Sequence, residues 1–356
     1  MPVINPQALI DNRVKAIRDY HASINVTKAE IDVSGGLDSA VLVGLLAKAL
    51  GPENITAVHS GINSNPEHRE RAQEVCDVFG VKLIYIDLTP LYEKLVATML
   101  LSIADAYREE NPIILPQLHN MALKDPTILG SIRSTLRAPV GRGFNRIMGG
   151  GIRHGTGNEC EDRWARFYQK GGDGEVDTNP IAMLAKGEVF QLALALGVPK
   201  SIIKAMPSPD LWGKGDAHND EDEYADYFGF KASDYGQTFY SYIDVETGEY
   251  TCVGLIERVS RFLDNETVFV GTRRPSPNEA TLFGKDLREK WLNEMIWQNQ
   301  KVFKGLPGDL VRKVLLAARR IELATRHKYN PNCPTLGTRQ ELVQAGILTN
   351  DLPQGV

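Results

Sequence analysis

The chain has 356 residues, 42% of them hydrophobic and 24% charged, with a formal net charge of −5. That length allows one large buried core or two, and the mild acidity gives no electrostatic basis for general nucleic-acid binding. No apolar stretch approaches the roughly 20 residues that span a bilayer, and the first residues, MPVINPQALIDNRVKAIRDY, lack the basic-then-apolar pattern of a secretion signal. Cys76, Cys160, Cys252 and Cys333 are scattered without a CxxC pair. Free thiols in a reducing cytoplasm are therefore expected, and small-molecule chemistry is favoured.

In chain order, residues 7–22 predict an amphipathic helix with Leu9, Ile10, Val14, Ile17 and Tyr20 on its apolar stripe. Strand and helix then alternate. Ile31–Val33 predicts a strand and Ser39–Leu50 a helix closed by Gly51-Pro52; Ile55–His59 predicts a strand and Pro66–Phe79 a helix stopped by Gly80. Val81–Asp87 reads as a third strand and Leu91–Tyr107 as a long helix. A βαβαβ series with short apolar strands implies a doubly wound α/β fold, a parallel sheet with helices on both faces.

Beyond it, residues 108–130 read as loop because of Pro112, Pro116 and Pro126. Residues 131–154 predict a helix leading into a strand, weakened by Pro139, Gly141 and Gly143. Glu159–Gln169 and Met183–Leu196 predict helices, and residues 213–223 an acidic loop. FYSYIDV and EYTCVGLI, joined through Glu246-Thr247-Gly248, read as a hairpin, and residues 280–328 as helix broken at Asn330–Pro334. The expected organisation is an N-terminal helical arm (1–30), a core (31–235), an insertion with a hairpin (236–300) and a C-terminal helix and tail (301–356).

Ser34-Gly35-Gly36-Leu37-Asp38-Ser39 sits between the first strand and its helix. The glycines let the backbone approach an anion, the helix start directs N–H groups and positive dipole at it, and Ser34 and Ser39 add hydroxyl donors. Asp38 is placed to hold magnesium against phosphates. No Lys-Ser/Thr pair of the Walker type follows, so this is a different phosphate loop. Further motifs come in order: Gly155-Thr156-Gly157-Asn158 with Glu161; Asp173-Gly174 and Asp177-Thr178-Asn179-Pro180 with Lys186; Pro207-Ser208-Pro209-Asp210-Leu211-Trp212 before the acidic run 220–223; and His327-Lys328.

SGGxDS resembles the signature of the ATP pyrophosphatases, and the motifs together, in this order, resemble NAD synthetase. That family amidates nicotinic acid adenine dinucleotide (deamido-NAD) with ATP and ammonia. The resemblance implies a Rossmann-like sheet of the ATP pyrophosphatase type and a homodimer. It implies magnesium on Asp38 and Glu161, and catalytic roles for Asp38, Lys186 and Asp173, the last beside the nicotinate and incoming ammonia. ATP and its phosphates fall to Ser34, Gly35, Gly36, Ser39, Thr156, Lys186 and Ser208, and the acceptor to Arg137, Asp173, Asp177, His327 and Lys328.

The residue types suit that chemistry. Attack of a carboxylate on an α-phosphate joins negative partners, so the site must neutralise charge and hold reactants in line. Departures from the family pattern fall mostly on the acceptor side: Thr135 replaces an arginine, Gly130-Ser131 replace glycine–asparagine, Arg153-His154 replace aliphatic residues, and Gly171 replaces a tyrosine. Two alternatives follow, a related adenylating amide ligase acting on a different carboxylate, and a non-catalytic nucleotide-binding subunit. No glutaminase domain is visible, so ammonia would come from solution or a separate partner.

Overall fold

The computed structural model describes residues 3, 5–124, 126–162, 165–167, 169–208, 219–264, 302–325, 328 and 337–351. Four strands, β1 (Ala29–Asp32), β2 (Ile55–Gly61), β3 (Leu83–Asp87) and β4 (Ile152–His154), form a parallel sheet in the order β3-β2-β1-β4. The chain runs outward from β1 through β2 to β3 and then crosses back to β4, so strand order reverses between β1 and β4. A crevice therefore opens beyond the carboxyl end of β1, where open α/β sheets bind ligands.

Side-chain alternation along β1 assigns the two faces. Ala29 and Ile31 join the large apolar cluster formed by α1 (Pro6–Ser23), α2 (Leu37–Leu50), α3 (Pro66–Phe79) and α8 (Lys186–Leu196). Glu30, the intervening residue, meets Arg153 of β4, whose Nη1 donates to both Glu30 carboxylate oxygens at 2.6 and 2.7 Å. Arg153 also pairs with Asp32. A Cβ on Gly141 would lie 2.0 Å from Arg153 Nη1, so only glycine lets α6 (Pro126–Ile147) cross this buried pair.

The expected helices α1, α2, α3 and α4 (Thr89–Tyr107) are present within two residues of their predicted bounds. The expected loop at 108–130 is overturned. Residues Ile114–Lys124 form helix α5 and α6 begins at Pro126, because Pro116 and Pro126 occupy first turns, where a missing N–H costs nothing. Pro139 sits inside α6 without ending it.

The helix expected over 159–169 shrinks to α7 (Glu159–Asp162), and Arg166 has φ of +52°. Helix α8 starts at Lys186 rather than Met183, because the Glu188 carboxylate accepts the Ala185 N–H at 2.8 Å and fixes the helix start there. The short α9 spans Lys200–Ile203. Residues 220–223, expected as loop, form the first turn of α10 (Asp220–Phe228), where the helix dipole favours acids and Asn219 caps Asp222 N–H at 3.1 Å.

The hairpin is shorter than expected: β5 (Tyr242–Ile243) pairs with β6 (Tyr250–Cys252), and the chain turns into α11 (Leu255–Asp264). Ile243 and Tyr250 of the hairpin join the first apolar cluster, while helices α10, α11 and α12 (Gly308–Thr325) with Phe239 and Tyr240 build a second. It encloses Cys160 and Ala185, the neighbours of Glu161 and Lys186. The last described helix, α13, is Arg339–Gln344. Cys76, Cys160 and Cys252 are free thiols, and Cys333 lies outside the described residues.

Candidate functional site

The Ser34–Ser39 turn lies at the carboxyl end of β1, as its sequence implied. Gly35 has φ of +83°, and a Cβ there would sit 2.2 Å from the His68 carbonyl oxygen. Ser34 and Ser39 hydroxyls lie 3.1 Å apart, and Ser39 donates to the Gly36 carbonyl at 3.0 Å. Gly36 at the N-cap offers no side-chain acceptor, so first-turn N–H groups of α2 line the cleft.

The cleft has a volume of about 550 Å³. Ser34, Gly35, Gly36, Asp38, Ser39, Arg137, Thr156, Glu161, Asp173, Lys186, Ser208 and Lys328 all line it. At its centre Lys186 Nζ donates to Asp38 Oδ2 at 2.6 Å and to Glu161 Oε1 at 3.0 Å. Three separate segments meet here: the phosphate loop, α7 and the first residue of α8. Burial alone would depress the Lys186 ammonium, but the Asp38 and Glu161 carboxylates outweigh it and hold the lysine protonated.

Asn158 organises this centre. Its side-chain oxygen accepts the Cys160 and Glu161 N–H groups at 3.0 and 3.2 Å, and its amide donates to Asp38 Oδ1 at 3.1 Å. Glu161 is thus aimed by the same residue that steadies Asp38. Burial pushes the Glu161 carboxyl up, against the pull of Lys186. Around it burial also raises Asp162, Asp220 (to about 7) and Glu223 (to about 8).

At the open edge Asp173 accepts the Ser134 hydroxyl at 2.8 Å and the Gln169 N–H at 2.7 Å. Lys328 donates to the Arg166 carbonyl at 3.1 Å. Next to it Phe167 stacks on Tyr227 with centroids 4.4 Å apart, an aromatic wall of the cleft. Arg137 donates to the Ser60 carbonyl at 3.2 Å at the end of β2.

Asp177 stands apart. Its carboxylate accepts the Arg153 backbone N–H at 2.8 Å, and it lines a second cavity of about 600 Å³ with Lys28 and Arg142. His327 lies outside the described residues. Sequence reasoning missed Asn158 as a site residue, although it stands inside the quoted GTGN motif, and missed Ser134, Asp220 and Tyr240. Tyr240 carried only a strand-like pattern.

Two carboxylates on one cation, Asp38 and Glu161 on Lys186, form a hard-oxygen pair suited to a divalent cation. Among the described residues no group of three or more His, Cys, Asp or Glu could hold a metal ion by itself. Phosphate and water oxygens would complete such a site, the arrangement magnesium favours.

A family model described as NAD synthase matches residues 9–228. The NH(3)-dependent NAD(+) synthetase of Trichlorobacter lovleyi is 30% identical over 258 residues, 70% of this chain and 82% of that protein. That of Thermoplasma volcanium is 32% identical over 197 residues, 55% of this chain and 70% of the relative. In fold, an NMN synthetase from Francisella tularensis superposes with a TM-score of 0.58 at 20% identity, over 92% of this chain and 97% of that one. No helix among the described residues is long and apolar enough to cross a membrane.

Proposed function

The chain belongs to the NAD synthase family, and on that premise we propose that it is an ammonia-dependent NAD synthetase. ATP adenylates the nicotinate carboxylate of deamido-NAD with release of pyrophosphate, and ammonia then displaces AMP to form the amide. The observation that carries this reading is the meeting of Asp38, Glu161 and Lys186 beside the Ser34–Ser39 loop.

Each residue's role follows from its setting. First-turn N–H groups of α2 and the hydroxyls of Ser34 and Ser39 bind the phosphates being released. Lys186, buried and charged, neutralises the charge that develops as the acceptor attacks the α-phosphate. Thr156 and Ser208 line the same cleft and hydrogen-bond the adenylate or pyrophosphate. Asp38 and Glu161 would hold magnesium, which screens phosphate charge when bound. Asp173, fixed by Ser134, binds ammonium and accepts its proton, while Arg137 and Lys328 offer positive charge to the acceptor.

A homodimer accords with the exposed apolar row on α4, where Leu91 is 51% and Met99 43% accessible. A cytoplasmic setting fits the free thiols.

One observation favours a second acceptor. The likeness to the NMN synthetase runs through nearly the whole of both chains. Nicotinate mononucleotide, the acid whose amidation yields NMN, is the alternative substrate. The test incubates the purified protein with ATP, magnesium and ammonium plus either acid, and follows AMP and amide by mass spectrometry. NAD formed in step with AMP supports the first reading; NMN formed with no NAD replaces it with the second. Nucleotide binding with neither product would make the protein a non-catalytic binder.

A further inference from the structure

Tyr240 lies beyond the matched family segment, on the stretch that leads into β5, yet it reaches the centre of the cleft. The residue is 3% exposed. Its hydroxyl lies 3.3 Å from Glu161 Oε1, the same oxygen that accepts from Lys186, and also within hydrogen-bond reach of the Asp220 carboxylate; the Lys186 ammonium lies 5.3 Å from the ring centroid. We propose that Tyr240 is a positioning residue of the adenylation centre: it keeps the Glu161 carboxylate oriented for a divalent cation when Lys186 turns to phosphate. The inference rests on the adenylating function proposed above.

The argument is one of competing partners. One ammonium serves two carboxylates, Asp38 and Glu161. A divalent cation entering between those carboxylates repels the ammonium, and phosphate oxygens attract it. When Lys186 leaves, Glu161 loses its charged partner. A neutral donor that adds no positive charge beside the cation is what the carboxylate then needs, and the phenol is one. A phenol is protonated at neutral pH and can only donate to a carboxylate.

The backbone around Tyr240 is built to hold it. Glu221 accepts the N–H groups of Phe239 and Tyr240 at 2.7 and 2.9 Å with its two carboxylate oxygens. Gly254 packs so closely that a Cβ there would lie 2.2 Å from the Tyr240 carbonyl carbon. Tyr224 meets the ring edge-on at 5.1 Å. Such restraint serves a fixed hydrogen bond.

The test compares wild type, Tyr240→Phe and Tyr242→Phe. Tyr242 contacts Glu221 rather than Glu161, so its variant is the control. Manganese binding is followed by electron paramagnetic resonance in the presence of a non-hydrolysable ATP analogue, with circular dichroism to confirm the fold. Tyr240→Phe should weaken manganese binding about tenfold, the effect of losing one hydrogen bond to a charged group. Analogue affinity without divalent cation, and the affinity of Tyr242→Phe for manganese, should stay at the wild-type value. In turnover, kcat for AMP formation should fall with the KM for the acceptor unchanged. Wild-type manganese affinity in Tyr240→Phe, or equal losses in both variants, would overturn the proposal. A wild type that binds manganese and analogue but makes no amide would overturn the proposed function alone. A wild type with no manganese-dependent nucleotide binding would overturn both.

Discussion

Arg261 and Glu159 form an ion pair at 2.9 Å in which neither side chain reaches solvent. The other end of the same guanidinium reaches Glu188 at 3.0 Å. Glu159 opens the turn that carries Glu161, and Glu188 stands in the first turn of the helix that begins with Lys186. One arginine from α11 therefore ties together the two helix starts that supply the reactive centre. Arg339 of α13 reinforces the tie with two hydrogen bonds of 2.8 Å to Glu188.

Arg261→Met should consequently destabilise the protein by about 3–5 kcal/mol, the cost of breaking a buried ion-pair network by removing one member and leaving Arg339 as the cation shared by Glu159 and Glu188. Urea denaturation measures it. A loss under about 1 kcal/mol would show that the carboxylates take up protons or find water instead.

The two loop glycines should respond differently to alanine. Gly35→Ala forces a side chain into the left-handed region, at about 1–2 kcal/mol, and into the backbone carbonyl of His68 2.2 Å away. Gly36→Ala meets only the Ser34 hydroxyl at 3.3 Å. ATP binding, measured by calorimetry, should vanish in the first variant and persist, weakened, in the second. Equal affinities would mean the loop has room that its packing denies.

Stability should fall as the solution is acidified below about pH 6.5. His154 is buried against His21, with Nε2 atoms 3.0 Å apart, and donates or accepts at Thr178 Oγ1 at 2.7 Å. Burial, then the neighbouring His21, depress its pKa to about 3. The folded state keeps the ring neutral while the unfolded chain protonates it near 6.5, so the unfolded state binds more protons in between. The loss is about 1.4 kcal/mol per pH unit for this one histidine. Denaturation at pH 7.5 and 5.0 should show it, and His154→Asn should reduce the slope; an unchanged slope would place the acid sensitivity elsewhere.

Binding of magnesium to the nucleotide-loaded site should release protons at pH 7. Burial keeps Asp220 and Glu223 partly protonated there, with carboxyls raised to about 7 and about 8. A cation in the cleft favours their ionised forms and drives those protons off. Titration calorimetry in buffers of different ionisation enthalpy reads this as a buffer-dependent heat. Identical heats in all buffers would rule it out.

Asp173→Asn should spare adenylation and slow amide formation by about 10²-fold or more, as loss of a proton acceptor does. The two half-reactions separate by following pyrophosphate release and amide formation in one quenched-flow series. Equal slowing of both would assign Asp173 to the adenylation step instead.

Much of this is legible in the sequence. Pro66 and Gly80 bracket a helix by their chemistry, and SGGLDS between a strand and a helix has few readings. The lysine and two carboxylates were identifiable as motif residues. Local pattern failed where the deciding partner was distant. Pro116 and Pro126 looked like breakers because nothing local shows that they stand in first turns. Arg261 and Glu159 lie 102 residues apart, and nothing in either segment reveals their pairing. Tyr240 was hidden in the same way: its neighbours spell a strand, and its function depends on Glu161, 79 residues earlier.

The Glu30–Arg153 pair beneath Gly141 has an engineering consequence. Exchanging β4 for that of a relative with an aliphatic residue at 153 would strand a fully buried carboxylate on β1. Exchanging α6 for one with any side chain at 141 would collide with the guanidinium. These three positions are a single inheritable unit scattered over three elements. Chimeras that cross between them should fail unless all three change at once.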